Sequence, residues 1–169
     1  MTSSGTEQPP QIAVLGCGYW GRNLVRNFQA IRALAAVCDA TAEGRDLAKK
    51  LAPGAKVVAD VQDVWNDSAI TGVVVVTPAE THARLGQQAL EAGKDVFCEK
   101  PLALRYEDAQ RLADLAQAKA RILMVGHVLE YHPAIDKIRE LVDTGQLGKG
   151  RDSAAATSST RTSTSPTTS

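Results

Sequence analysis

Apolar residues in this chain fall into short unbroken runs separated by stretches with helical spacing, and the two patterns alternate. Ile12 to Leu15, Leu34 to Cys38, Lys56 to Ala59, Gly72 to Val76, Asp95 to Cys98 and Ile122 to Val125 are the strand-like runs. The fourth is almost purely β-branched, which is what a strand buried on both faces of a parallel sheet requires. Between them, Trp20, Leu24 and Phe28 recur at i, i+4, i+8 and predict a helix. Ala42 to Leu51 predicts another, closed by Pro53-Gly54, and Val61 to Asn66 a helical turn opened by Asp60. Thr81 to Ala92 carries Leu85/Ala89 and Gly86/Leu90 at i+4 spacing and stops at Gly93. Tyr106 to Ala118 sets Ala109, Leu112, Ala113 and Ala116 on one face, and Pro133 to Thr144 starts at proline and stops at Gly145. Such alternation predicts an α/β fold with a doubly wound parallel sheet, the Rossmann dinucleotide-binding architecture, over residues 12–150.

The two ends read differently. Residues 1–11 are polar, contain Pro9-Pro10 and predict a disordered leader without the layout of a signal peptide. Residues 151–169 are dominated by Ser and Thr without hydrophobic periodicity, and predict a disordered tail that buries too little apolar surface to offset its ordering entropy. The change of character is abrupt enough to suggest a frameshift or premature end rather than a natural linker. If neither of the other two reading frames of the source DNA restores a domain, that idea fails.

The first strand runs straight into Gly16-Cys17-Gly18-Tyr19-Trp20-Gly21, a G-x-G-x-x-G element opening a helix. Gly16 permits the tight turn, Gly18 lets a pyrophosphate approach the backbone, and Gly21 lets the helix pack closely on the strand. Asp39 ends the second strand, where its carboxylate can accept from both ribose hydroxyls of an adenosine. Glu99-Lys100-Pro101 ends a predicted central strand, at the sheet edge where open α/β folds place ligands. A lysine there can donate to a substrate hydroxyl or relay its proton, with the neighbouring carboxylate orienting it; a surface turn with ordinary charges is the alternative.

Charge adds only exclusions. Lys plus Arg and Asp plus Glu number 19 each, and no basic run is present, so there is no electrostatic case for nucleic acid or a membrane surface. No apolar stretch reaches bilayer-spanning length. Cys17, Cys38 and Cys98, an odd set without metal-ligand spacing, suggest reduced thiols in a cytoplasmic setting and no metal site.

Taken together, the glycine turn, Asp39, Thr77-Pro78 with His82, Glu99-Lys100-Pro101, and Gly126-His127 followed by Tyr131-His132-Pro133 resemble the N-terminal half of the Gfo/Idh/MocA family of sugar and inositol oxidoreductases. Gly18-Tyr19-Trp20-Gly21-Arg22-Asn23-Leu24 and Arg26-Asn27-Phe28 are similar to the branch containing nucleotide-sugar 3-dehydrogenases. The resemblance implies that Gly16, Gly18, Tyr19, Trp20, Gly21 and Asp39 hold NAD, Asp39 disfavouring the 2′-phosphate of NADP. It implies that Thr77, Pro78 and His82 line the dinucleotide, and that Glu99 and Lys100 touch cofactor and substrate, Lys100 taking part in proton transfer. It further implies that the bond before Pro101 is cis, and that His127, Tyr131 and His132 lead toward the substrate. Family members continue into a second α/β domain that supplies most substrate contacts and often an oligomer interface, and the Ser/Thr-rich tail cannot replace it. The expected activity is hydride transfer from a ring hydroxyl carbon of a sugar or nucleotide sugar to nicotinamide, with a homo-oligomer open to it; the alternative is an inactive NAD-binding module or ligand sensor.

Overall fold

Val73, Val74 and Val75 are each at most 2% exposed, and this buried stretch is the middle of the sheet. The computed structural model describes residues 10–146. The chain divides into two units, one reaching His127 and one starting at Val128. In the first, six parallel strands are ordered β3-β2-β1-β4-β5-β6: β1 (Ile12–Leu15), β2 (Leu34–Cys38), β3 (Lys56–Val58), β4 (Gly72–Val75), β5 (Asp95–Cys98) and β6 (Leu123–Val125). The crossover helices are α1 (Gly21–Ala30), α2 (Ala42–Leu51), the short α3 (Gln62–Trp65), α4 (His82–Glu91) and α5 (Tyr106–Ala118).

Alternation along each strand divides the core in two. Ala13 and Leu15 of β1, Ala36 and Cys38 of β2, and Val73 and Val75 of β4 face one way, where Leu85, Ala89 and Leu90 of α4 and Leu112 of α5 meet them. Val14, Val37 and Val74 face the other way, against Val25 of α1 and Ala48 of α2. Both faces are covered, which explains why the strands read as unbroken apolar runs. The left-handed φ of +74° at Gly93 closes α4, as its position in the sequence suggested.

Differences from the sequence reading lie at element ends. Trp20 stands just before α1 rather than within it. The helix expected from Thr81 begins at His82, because Ala79–Thr81 winds as a 3₁₀ turn. Ile122 precedes β6 and is 67% exposed, its N–H donating to Asp95 Oδ1 at 2.9 Å. Gln11, expected in the disordered leader, is held by the sheet: its carbonyl accepts from Thr71 N at 2.9 Å. The rest of that leader up to residue 9, and the Ser/Thr-rich tail, lie outside the described residues.

The second unit contains a 3₁₀ turn, Val128–Tyr131, and α6 (Pro133–Asp143). His132 caps α6 by accepting from Ala134 N at 3.1 Å on Nδ1. Arg139 ties the helix to the turn through Glu130 at 2.7 Å.

One buried cation in the first unit gave no sequence signal. Lys94, 5% exposed, donates through Nζ to the carbonyls of Asp67 at 2.6 Å and Ile70 at 2.8 Å. Burial pulls its ammonium pKa down. Lys94→Met keeps the aliphatic stem but removes the ammonium from both carbonyls, leaving that of Asp67 only the Ile70 N–H at 3.2 Å. Urea denaturation should show a loss of about 1–3 kcal/mol; an unchanged midpoint and slope would mean that water replaces the ammonium without cost.

Candidate functional site

The C-terminal ends of β1, β2 and β4 open on a cleft of about 620 Å3, lined among others by Gly16, Gly18, Tyr19, Asp39, Thr77 and Pro78. Gly16 adopts φ +100°, and a Cβ there would lie 2.9 Å from the Val76 carbonyl oxygen. At Gly21 a Cβ would strike the Gly16 carbonyl, so turn and helix approach at backbone distance. Gly18 differs: a Cβ there would meet no atom of the described residues within 4 Å. Its bare face is open space beside a helix N-terminus, so the surroundings fit a pyrophosphate. Tyr19 is 82% exposed, with the Arg22 guanidinium over its ring at 4.8 Å.

Asp39 is already anchored. Its Oδ2 accepts from Cys17 N at 2.7 Å, and its Oδ1 accepts from Thr41 N at 2.8 Å and Thr41 Oγ1 at 2.7 Å. Gly44 sits against the carboxylate with no room for a side chain, and Thr41 Oγ1 caps α2 by accepting from Gly44 N at 3.1 Å. Arg45 donates to the carbonyls of Asp39 at 3.0 Å and Ala40 at 2.8 Å. Burial pushes the Asp39 carboxyl pKa up, but the bonds from Cys17 and Thr41, with the Arg45 charge, outweigh it and hold it below the ordinary aspartate value. A carboxylate offers about four acceptor sites, and three are filled. Room remains for about one more donor.

The Thr77-Pro78 segment is bonded internally. Thr81 Oγ1 donates to the Pro78 carbonyl at 2.7 Å and lies 2.6 Å from Thr77 Oγ1, which must then donate to it. His82 is 2% exposed. Its Nε2 lies 2.7 Å from the Thr77 carbonyl and its Nδ1 2.7 Å from the Pro101 carbonyl. Both neighbours are acceptors, so either neutral tautomer donates to one of them. The sequence suggested a ring lining the dinucleotide; the structure buries this ring between the segment that follows β4 and the one that follows β5.

Glu99 and Lys100 follow β5, and the Lys100–Pro101 bond is cis, as expected. Lys100 is exposed, whereas Glu99 is only 8% exposed. Glu99 Oε1 accepts from Trp20 Nε1 at 2.9 Å, and its Oε2 faces Lys100 N at 3.4 Å. A Cβ at Gly126, just past β6, would come within 3.0 Å of Glu99 Oε1. Sequence spacing gave no hint of the Trp20–Glu99 bond, because it joins positions 79 residues apart. His127, in the first unit, is exposed, its N–H donating to the Val125 carbonyl at 2.7 Å. Tyr131 is 74% exposed in the second unit, where His132 serves as the cap of α6.

The three cysteines are free and buried. Burial, with added repulsion from Asp39 and Glu99 respectively, pushes Cys38 up to about 11 and Cys98 to about 12. Such thiols are poor nucleophiles at neutral pH. A second hollow of about 550 Å3, lined by Glu80, Arg84, Asp108 and Arg111 among others, has Arg111 paired with Asp108. Among the described residues, no three His, Cys, Asp or Glu side chains converge as a metal site, and no helix is long and apolar enough to cross a membrane.

Asp39→Asn tests the carboxylate's role in folding. The amide must turn its NH2 toward either Cys17 N–H or the Thr41 donors, at a cost of about 1–3 kcal/mol in urea denaturation. The folded-state pKa of Asp39 is depressed, so its contribution is complete above the unfolded value near pH 4 and is lost as pH falls through the lower folded value. The wild-type minus variant difference should shrink on acidification. A difference independent of pH would remove the carboxylate from that role.

Comparison with known proteins gives this geometry its context. Residues 11–127 match the model of the oxidoreductase family Gfo/Idh/MocA, NAD-binding Rossmann fold. The inositol 2-dehydrogenase of Burkholderia multivorans is 32% identical over 143 residues, covering 82% of this chain and 42% of that protein. The scyllo-inositol dehydrogenase of Lactobacillus casei, solved with NAD(H) and scyllo-inositol, matches with a TM-score of 0.72 at 25% identity, over 83% of this chain and 43% of that one. A 3-ketoreductase from Actinomadura kijaniata, solved with NADP and TDP-benzene, shares the fold at a TM-score of 0.75 and 24% identity, over 82% and 43% of the two chains. The chain therefore spans about two-fifths of the length of these relatives. With its six-stranded 3-2-1-4-5-6 sheet and its glycine turn in place, the chain belongs to the Gfo/Idh/MocA oxidoreductase family, of which it carries the NAD-binding Rossmann domain.

Proposed function

We propose that this chain binds NAD(H) in the cleft over β1, β2 and β4, as the cofactor half of a dehydrogenase acting on a sugar or nucleotide sugar. The observation that carries this reading is the open face of Gly18, flanked in the same cleft by Asp39 and Thr77. The N–H groups at the start of α1 receive the pyrophosphate. Asp39 accepts from one adenosine ribose hydroxyl at its remaining acceptor site, and Thr41 Oγ1 has a lone pair left for the other. A 2′-phosphate would set like charge against Asp39, so NAD is favoured over NADP. Thr77 and Pro78 form the opposite wall, with His82 holding Thr77 in place.

When bound, the dinucleotide supplies the hydride acceptor. As the ring carbon gives up its hydride to the dinucleotide, Lys100 Nζ takes the proton that the substrate hydroxyl releases and passes it to water, while Glu99 beside it fixes the local geometry. His127, which follows β6 in the same unit, is read as the residue leading toward the substrate. The similarity of the residues from Gly18 to Leu24 and from Arg26 to Phe28 to the nucleotide-sugar 3-dehydrogenase branch supports a nucleotide sugar as substrate. A second reading is favoured by the share of the relatives' length that this chain spans: these residues bind NAD(H) and turn over nothing.

Calorimetric titration with NAD and NADP, beside a turnover assay on a nucleotide-sugar panel, separates the readings. NAD should bind at least about tenfold more tightly than NADP, and Asp39→Ala should weaken NAD about ten- to a hundredfold. Gly18→Ala should unfold at the same urea concentration as the parent yet lose NAD affinity by about tenfold or more, because its methyl occupies only the cofactor's space. Unchanged affinity in Gly18→Ala removes the pyrophosphate from that turn. Binding without turnover supports the second reading, and no binding of either dinucleotide overturns both.

A further inference from the structure

We propose that Trp20 is a positioning residue for the Glu99–Lys100 pair, its indole N–H tying the glycine turn to the end of β5 so that dinucleotide occupancy of the turn is felt at Glu99. This rests on the NAD-binding reading above. Glu99 is buried, and among the described residues no ion pair involves it. A buried carboxylate must be oriented by whatever donors reach it. The Trp20 bond is of ordinary length at 2.9 Å, while the neighbouring Lys100 N–H lies at a weak 3.4 Å. Gly126 blocks the carboxylate on another side, its missing Cβ being what makes room for Oε1. The indole is thus the principal fixed donor on Glu99.

Its placement makes the bond a coupling. Trp20 lies between Gly18 and Gly21, in the turn whose open face receives the pyrophosphate. It makes no side-chain cap to α1 and is 48% exposed, so its ring is held chiefly at the indole nitrogen. Any shift of the turn on binding moves that nitrogen, and Glu99, adjacent in sequence to Lys100, moves with it. Phenylalanine keeps the ring but not the donor, and therefore isolates the bond from the packing.

The indole protons report this directly in 15N-labelled protein. The chain has two tryptophans. The second, Trp65, buries its Nε1 without a hydrogen-bond partner, and so serves as an internal control. Trp20→Phe should remove one indole resonance and leave the Trp65 signal and the circular dichroism unchanged. Glu99→Gln should move the Trp20 indole proton upfield and leave Trp65 in place, because a charged acceptor becomes a neutral one. Saturation with NAD should shift the Trp20 resonance in the parent protein. Trp20→Phe should bind NAD about five- to tenfold more weakly, and combining it with Glu99→Gln should cost no more than the larger single loss.

If Glu99→Gln leaves the Trp20 resonance unmoved, the positioning role is overturned whatever NAD does. If NAD binds by calorimetry but neither shifts that resonance nor weakens in Trp20→Phe, the coupling is overturned while the NAD-binding reading stands. If NAD gives no heat with the parent protein, the NAD-binding reading fails and the coupling fails with it.

Discussion

Backbone pressed against backbone at the end of β1 is the constraint from which the rest of the site follows. Gly16 can turn the chain only because φ +100° is open to it and because no Cβ intrudes on the Val76 carbonyl. Gly21 then lets α1 start directly against the Gly16 carbonyl. With that approach fixed, the first N–H groups of the helix stand beside the ends of β1 and β4 rather than out in solvent. The core on either side of the sheet is ordinary alternation of Val, Leu and Ala. What converts it into a cleft is the absence of a Cβ at two glycines, each of which would otherwise collide with a backbone carbonyl.

Two carboxylates then tie neighbouring strand ends to this turn by bonds across the topology, and a histidine lies between two further strand ends. Asp39 reaches from β2 to Cys17 N, and Glu99 receives Trp20 from beyond β5. His82 lies between the segments after β4 and β5, with its ring nitrogens each 2.7 Å from a carbonyl oxygen, that of Thr77 or that of Pro101. The edge that carries the cleft is therefore ordered by the protein's own bonds, a preorganisation that would lower the entropy cost of binding a ligand there.

The elements themselves were legible in the sequence because each is specified locally. A strand covered on both faces is an apolar run, and a helix with one buried face repeats at i+4 and stops at glycine. The glycine turn and Asp39 were legible for the same reason, since their spacing is that of consecutive elements. His82, Trp20 and Lys94 were not. Each bonds to a partner that only the strand order brings near, and the strand order is not a local property. Two of them bond to backbone carbonyls, and a carbonyl leaves no trace in composition. His82 therefore reads in sequence as an available ring, although both its nitrogens are occupied.

The two carboxylates at this edge differ in how tightly they are held, and the difference separates their duties. Asp39 accepts three bonds of 2.7–2.8 Å and its pKa is drawn down by them. Repositioning it would strip three donors at once, so it is a fixed mark against which a ligand is measured. That is what discrimination between a ribose hydroxyl and a phosphate needs, because a carboxylate free to turn away would not repel the wrong group. Glu99 has one indole donor and a weak contact to Lys100 N. Glu99 is buried, yet one indole N–H is its principal donor, so the loss of a single partner changes its surroundings more than the loss of one donor would change those of Asp39.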